Sequence, residues 1–234
     1  MIVLKGKDIY GKEREYEFED EVERIRLAHE SLAKINLTPL GKVRKIRKLN
    51  LEYNKLKDIN LTQLSKCEDF EALHLSENEL KKINLQPLSA CKKLRWLDVS
   101  YNPLNEIDLT PLAECKELKR LGINQVNLKE IDLEPLAESR KLESLSFEDN
   151  YIKKVDLKPL EKCTKLRFLS MSFNRIEKID LAPLANCKEL SYLGIGNGKV
   201  KIEWEGEKIR EEEIPKGMEY YKEKIIEKWK ESKK

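Results

Sequence analysis

Apolar residues return along this chain with a period of 24: Ile35, Ile59, Ile83, Ile107, Ile131, Val155 and Ile179 stand in one phase without an insertion. Each is followed by Asn or Asp and then Leu. Leu40, Leu64, Leu88, Leu112, Leu136, Leu160 and Leu184 form a second column, preceded by proline in six of seven units, with Gln63 the exception. A strict period of this length means stacked units that share one continuous core. Within a unit, Leu97-Asp98-Val99-Ser100 turns two side chains inward and their neighbours outward, as a half-buried strand requires. On the other limb, Thr110-Pro111-Leu112-Ala113-Glu114-Cys115 offers a capping hydroxyl and then proline. That predicts a single helical or 3₁₀ turn, too short to be a full helix.

The cleanest unit reads Leu94-x-x-Leu97-x-Val99-x-x-Asn102-x-Leu104, which resembles the leucine-rich repeat signature of the intracellular type. The resemblance implies a strand followed by an asparagine turn. The phase runs back to Val22, Ile25, Leu27 and Leu32 and forward to Leu190, Leu193, Ile195 and Val200, which makes eight strands. Their cores are Arg24 to Ala28, Lys48 to Glu52, Ala72 to Ser76, Trp96 to Ser100, Arg120 to Asn124, Ser144 to Glu148, Phe168 to Ser172 and Tyr192 to Gly196. Equal coils stack identical strands about 4.8 Å apart. The expected fold class is therefore an α/β leucine-rich repeat solenoid, a horseshoe or right-handed coil. Its parallel strands lie on the concave face and its short turns on the convex side. Asn54, Asn78, Asn102, Asn150 and Asn174 should sit inside the turns and satisfy hidden backbone groups. Glu30, Val126 and Gly198 interrupt that ladder, so altered turns are expected there.

A solenoid exposes its core at both ends unless capped. Residues 1–21 read as an N-terminal β-hairpin cap, residues 22–200 as the repeats and residues 201–234 as a C-terminal cap. In that last part Val200-Lys-Ile202-Glu-Trp204 looks extended, and a helix from about Pro215 places Met218, Tyr221, Ile225 and Trp229 on one apolar face. The terminal Lys233-Lys234 would suit docking to a membrane or partner, but Glu219, Glu223, Glu227 and Glu231 among the lysines favour a cap over the last coil.

Composition narrows the functional classes. Lys plus Arg number 46 against 43 Asp plus Glu, a net charge of +3 with both signs interspersed, so nucleic acid is not favoured as a partner. No apolar run suits a membrane span, and the start lacks the apolar stretch of a secretory signal, so a cytoplasmic protein is expected; a monomer is expected as well. A charged fraction of 38% with only Gln63, Gln86 and Gln125 as glutamines hints at a thermostable protein built on surface ion pairs. Cys67, Cys91, Cys115, Cys163 and Cys187 share one column with Val43 and Ser139, which reads as small buried side chains and not as a metal site or disulfide framework.

His74, Asp98, Ser76 and Ser100 lie side by side in outward columns, yet an open strand face supplies neither a shielded base nor an oxyanion hole. No catalytic, cofactor-binding or metal-binding residue is assigned, no cofactor is implied, and the chain is not read as an enzyme. The outward columns carry Trp96, Tyr101, Phe168, Phe173 and Tyr192, aromatics that no core requires, with Gly122, Ser146, Ser170 and Gly194 between them. These five aromatics, with His74 and Asp98, are the expected partner-binding residues, and the small residues leave room for a shallow groove. The reading is a non-enzymatic scaffold that binds a protein or peptide on the concave face. The alternatives are a regulatory subunit of an enzyme or an engineered repeat scaffold.

Overall fold

The computed structural model describes residues 1–196, 200–207 and 209–231. Asn197, Gly198 and Lys233-Lys234 fall outside the described residues. An antiparallel hairpin, β1 (Ile2–Asp8) and β2 (Glu13–Phe18), opens the chain as expected. There follow β3 (Arg24–Arg26), β4 (Leu32–Asn36), β5 (Lys48–Asn50), β6 (Ala72–His74), β7 (Trp96–Asp98), β8 (Arg120–Gly122) and β9 (Ser144–Ser146). The chain continues through β10 (Phe168–Ser170), β11 (Lys178–Asp180), β12 (Tyr192–Gly194) and β13 (Lys201–Glu203) to α1 (Lys222–Glu231).

Eight strands, β3, β5 to β10 and β12, form one parallel sheet in coil order. Ile25, Leu49, Leu73, Leu97, Leu121, Leu145, Leu169 and Leu193 pair across it in unbroken register. That constancy follows from the absence of insertions: with side-chain period two, any slip would turn a leucine out of the core. Both leucine columns are buried, as are the cysteines with Val43 and Ser139. Burial pushes the Cys67, Cys115 and Cys163 thiols up to about 11 and those of Cys91 and Cys187 to about 12. Cys91 and Cys115 direct their thiols to the Leu64 and Leu88 carbonyls of the preceding coil, at 3.4 and 3.3 Å.

The asparagine ladder forms as the resemblance implies. Asn102 Nδ2 donates to the Leu75 and Val99 carbonyls, while its Oδ1 accepts from Leu80 N. At the Val126 gap the pattern changes. Leu104 N turns to Asn102 O, and Asn150 Oδ1 accepts from both Val126 N and Leu128 N. Asn105 and Asn127 take positive φ there, and Ser31 does so beside Glu30, the altered turns expected at these breaks.

Short 3₁₀ turns, such as Thr38–Lys42 and Thr110–Glu114, occupy the convex limb, but threonine is not their cap. Thr110 lies inside its turn and its backbone N–H donates to Asp108 Oδ1 at 2.9 Å, while its hydroxyl also faces Asp108. The same bond runs from Thr38 N to Asn36, from Gln86 N to Asn84 and from Lys158 N to Asp156. The Asn or Asp after each isoleucine is thus the capping acceptor, because from two residues earlier its side-chain oxygen reaches the N–H in an Asx turn.

Both ends gain a strand that the pattern did not announce. β4 pairs antiparallel with β1, and β11 pairs parallel with β13. The helix expected from Pro215 begins as a 3₁₀ segment, Lys216–Tyr221, and becomes α-helical only in α1. Gly217 explains the tight start: its N–H donates to Leu190 O, and an added Cβ would lie 2.9 Å from Tyr192 N. Met218 and Ile225 are fully buried and Tyr221 and Trp229 pack against the core, so the segment caps the last coil. No helix among the described residues is long and apolar enough to cross a membrane.

Candidate interaction face

Residues at the first and third strand positions point away from the core. The structure gathers the expected aromatics there into two groups. Trp96, 38% exposed, meets the His74 ring edge-on at 4.5 Å, and the Arg120 guanidinium lies 5.0 Å from its centroid. Phe168 and Tyr192 stack at 4.6 Å with rings 8° from parallel. The pairing leaves both rings of this stack open to solvent, Tyr192 by 45%. Between the groups lies an open hollow of about 480 Å³, walled by Trp96, Arg120 and Phe168 and floored by Gly122, Ser144 and Ser146. Arg120, which the sequence reading had not singled out, is signalled only by its place between two aromatics in the first column.

The small residues make less empty space than their size suggests. A Cβ on Gly122 would stand 2.7 Å from Asp98 Oδ1, and one on Gly194 would stand 2.6 Å from the Ser172 hydroxyl. The neighbours' polar groups lean over these glycines and form a hydrogen-bonded floor. Asp98 Oδ1 accepts from Ser100 N, Ser100 Oγ accepts from Asn124 N, and Asn124 Oδ1 accepts from Ser146 Oγ and Glu148 N. Ser170 then donates to Glu148.

No hydrolytic triad assembles around His74 and Asp98. Ser76 Oγ donates to Glu52 at 3.1 Å, and Ser100 is occupied by Asn124. His74 Nδ1 lies 3.7 Å from Glu52, and burial holds its pKa below the ordinary histidine value despite the opposing pull of Glu52 and Asp98. Among the described residues no three His, Cys, Asp or Glu side chains converge as metal ligands.

One column departs from anything the residue types suggest. His29, Tyr53, Glu77, Tyr101, Gln125, Asp149 and Phe173, each just before the ladder position, all lie at φ between 50 and 63°. This left-handed region strains side chains other than glycine or asparagine by roughly 1–2 kcal/mol. The coil geometry imposes it at each of these seven turns, and it swings Tyr53, Tyr101 and Phe173 out beside the sheet with 51, 46 and 75% exposure.

Comparison with known families places this architecture. The leucine-rich repeat family matches residues 44–104, and a two-copy leucine-rich repeat pattern matches residues 140–186. The chain is a leucine-rich repeat protein. Among solved leucine-rich repeat structures, an internalin (InlF) from Listeria monocytogenes is 25% identical with a TM-score of 0.56, covering 78% of this chain and 56% of its own. Internalin C2 from the same organism is also 25% identical, with a TM-score of 0.55 over 73% of this chain and 68% of that one. A leucine-rich repeat protein from Leptospira interrogans shares the fold at a TM-score of 0.61 and 19% identity, over 76% of this chain and 49% of its own. The present repeat protein thus spans little more than half the length of the first internalin. No curated protein matches it by sequence.

Charge on this repeat protein is ordered by coil. Along the leading edge, where the chain enters each strand, acids and bases share columns of period 24, alternating except at Arg95 and Lys119 and at Lys141 and Lys165, and pair across coils. Arg47 bonds Glu71, Lys119 bonds Glu143 at 2.7 Å and Lys141 bonds Glu117 at 2.5 Å, while Lys45 and Lys93 reach Glu21 and Asp69.

Proposed function

We propose that this protein is a non-enzymatic interaction scaffold that holds a partner protein or peptide across its concave sheet. Leucine-rich repeat folds commonly serve as protein–protein interaction scaffolds. The observation that carries the reading is the pair of aromatic groups, Trp96 with His74 and Phe168 with Tyr192, left open on a sheet whose core needs neither. Burying such rings concentrates binding energy, whereas rim charges act mainly on association rate.

Affinity capture from native lysate tests this reading. Phe168→Ala with Tyr192→Ala should weaken the captured complex by about 2 kcal/mol or more, roughly thirtyfold, with little change in melting temperature. Charge reversal at Arg24 or Lys48 should do less. A partner mapped instead to the convex turns around Pro111 and Pro135, with these aromatics still solvent-exposed in the complex, would refute it.

A further inference from the structure

The two edges of the sheet face are electrically unlike. The leading-edge bases are answered by carboxylates of neighbouring coils. At the trailing edge, where the chain leaves each strand, Glu77, Asp98, Glu148 and Asp149 gather about Tyr101 from three different coils. Burial first, and then these four carboxylates, push the Tyr101 phenol above its ordinary pKa. Among the described residues none of the four has a Lys or Arg at ion-pair distance, although the chain carries 46 such cations. Hydrogen bonds from Ser100 N and Ser170 Oγ hold Asp98 and Glu148 in place without neutralising them.

The same edge carries Tyr53, Tyr101 and Phe173 on left-handed backbone, with Phe173 three-quarters exposed. Exposed aromatic faces beside unneutralised carboxylates match one side-chain chemistry. A guanidinium or ammonium gains both the ion pair and the attraction of the ring face, and guanidinium adds planar stacking. The carboxylates are too dispersed to converge on a metal ion. Tyr53 and Phe173 stand five coils apart, about 24 Å at the strand spacing, which about seven residues of extended chain would span.

We propose that the trailing edge of the concave face receives an extended basic segment of a partner protein, its Lys or Arg side chains lying among Glu77, Asp98, Glu148 and Asp149 and over the rings of Tyr101 and Phe173. This rests on the concave face being the interaction face and names the chemistry of what binds there. The aromatic groups at the first strand position then take the apolar residues of the same segment, and the carboxylates set its direction.

A random 12-residue phage-displayed peptide library, selected on the immobilised full chain, tests this. Peptides enriched in Lys and Arg should emerge. Their binding should fall at least tenfold in a variant combining Glu77→Gln, Glu148→Gln and Asp149→Asn, and should weaken steeply between 50 and 300 mM NaCl. A control with Glu106→Gln, Glu130→Gln and Glu177→Gln, the same charge change away from the sheet face, should bind as the parent does. Melting temperatures verify that each variant folds. Selected peptides that are neutral or acidic, yet lost in Phe168→Ala/Tyr192→Ala, would overturn the basic-segment proposal and leave the interaction face standing. Equal loss in the control variant would overturn the proposal as well. Peptides indifferent to both sets of changes, or no enrichment over an uncoated surface, would overturn both readings.

Discussion

Asn150 holds more backbone than any neighbour in its ladder. Its Oδ1 accepts from Val126 N and Leu128 N, and its Nδ2 donates to the Ile123 and Phe147 carbonyls. Asn102 serves one N–H, that of Leu80. An orphaned buried donor costs about 1–3 kcal/mol, so Asn150→Ala should lower unfolding free energy by roughly 1–2 kcal/mol more than Asn102→Ala. Chemical denaturation of the two variants measures the difference, and equal losses would mean that Val126 N finds another acceptor. Phe173 poses the opposite case. Three-quarters exposed at φ 58°, it receives strain without packing. Phe173→Asn should therefore raise the denaturation midpoint, a gain of about 0.5–1 kcal/mol in unfolding free energy, while weakening partner binding. A lower midpoint would show that the ring packs in a way its exposure conceals.

A coil is the natural unit of change in this fold, because each touches only its neighbours. Removing Ile107 to Glu130 takes out Val126 and sets Asn102 next to Asn150, which restores an uninterrupted ladder, and it leaves Arg95 facing Glu143. It also brings Lys93 beside Lys141 and removes one coil of core. The shortened protein should thus unfold cooperatively at a somewhat lower temperature, whereas deleting 12 residues should abolish cooperative unfolding in calorimetry. Strands, turns, ladder and cysteine column were all legible because the period repeats them, so one unit explains the others. The end strands were not. Lys34–Asn36 and Lys178–Asp180 occupy the same repeat position, six units apart, as segments that stay irregular in between. Only the edges of β1 and β13 turn them into strands, and that is a tertiary cause. The left-handed column was hidden for a different reason: it holds Tyr, Glu, Gln, Asp, His and Phe, none of which announces positive φ as glycine would. The site was half legible. Periodicity shows which aromatics face outward, but the Phe168–Tyr192 stack and the lean of Asp98 over Gly122 depend on side-chain rotation.

Over the whole molecule, the ladders of paired charge make stability a function of pH. Lys93 holds the Asp69 carboxyl below its usual range, and Lys92, Lys162 and Lys119 do the same for Glu114, Glu138 and Glu143. Arg210 brings Glu213 down to about 2. Each carboxyl is more acidic folded than unfolded, where values near 3.9 for Asp and 4.3 for Glu apply. At a pH between the two values the unfolded chain binds more protons, so folding stability rises with pH through that window. The contribution is complete above about pH 5 and is lost as pH falls towards 2. Most of these pairs are solvent-exposed, so salt screens them and each one alone is weak. Their number and coil-to-coil placement make the sum visible. The urea midpoint should therefore slip slightly from pH 7 to 5, where the unfolded chain protonates His74 more readily than the fold does, then fall continuously between pH 4.5 and 2.5, and this second fall should be smaller in 1 M NaCl. A midpoint that stayed level to pH 2.5 at low salt would mean that the ladders contribute nothing to holding the coils together.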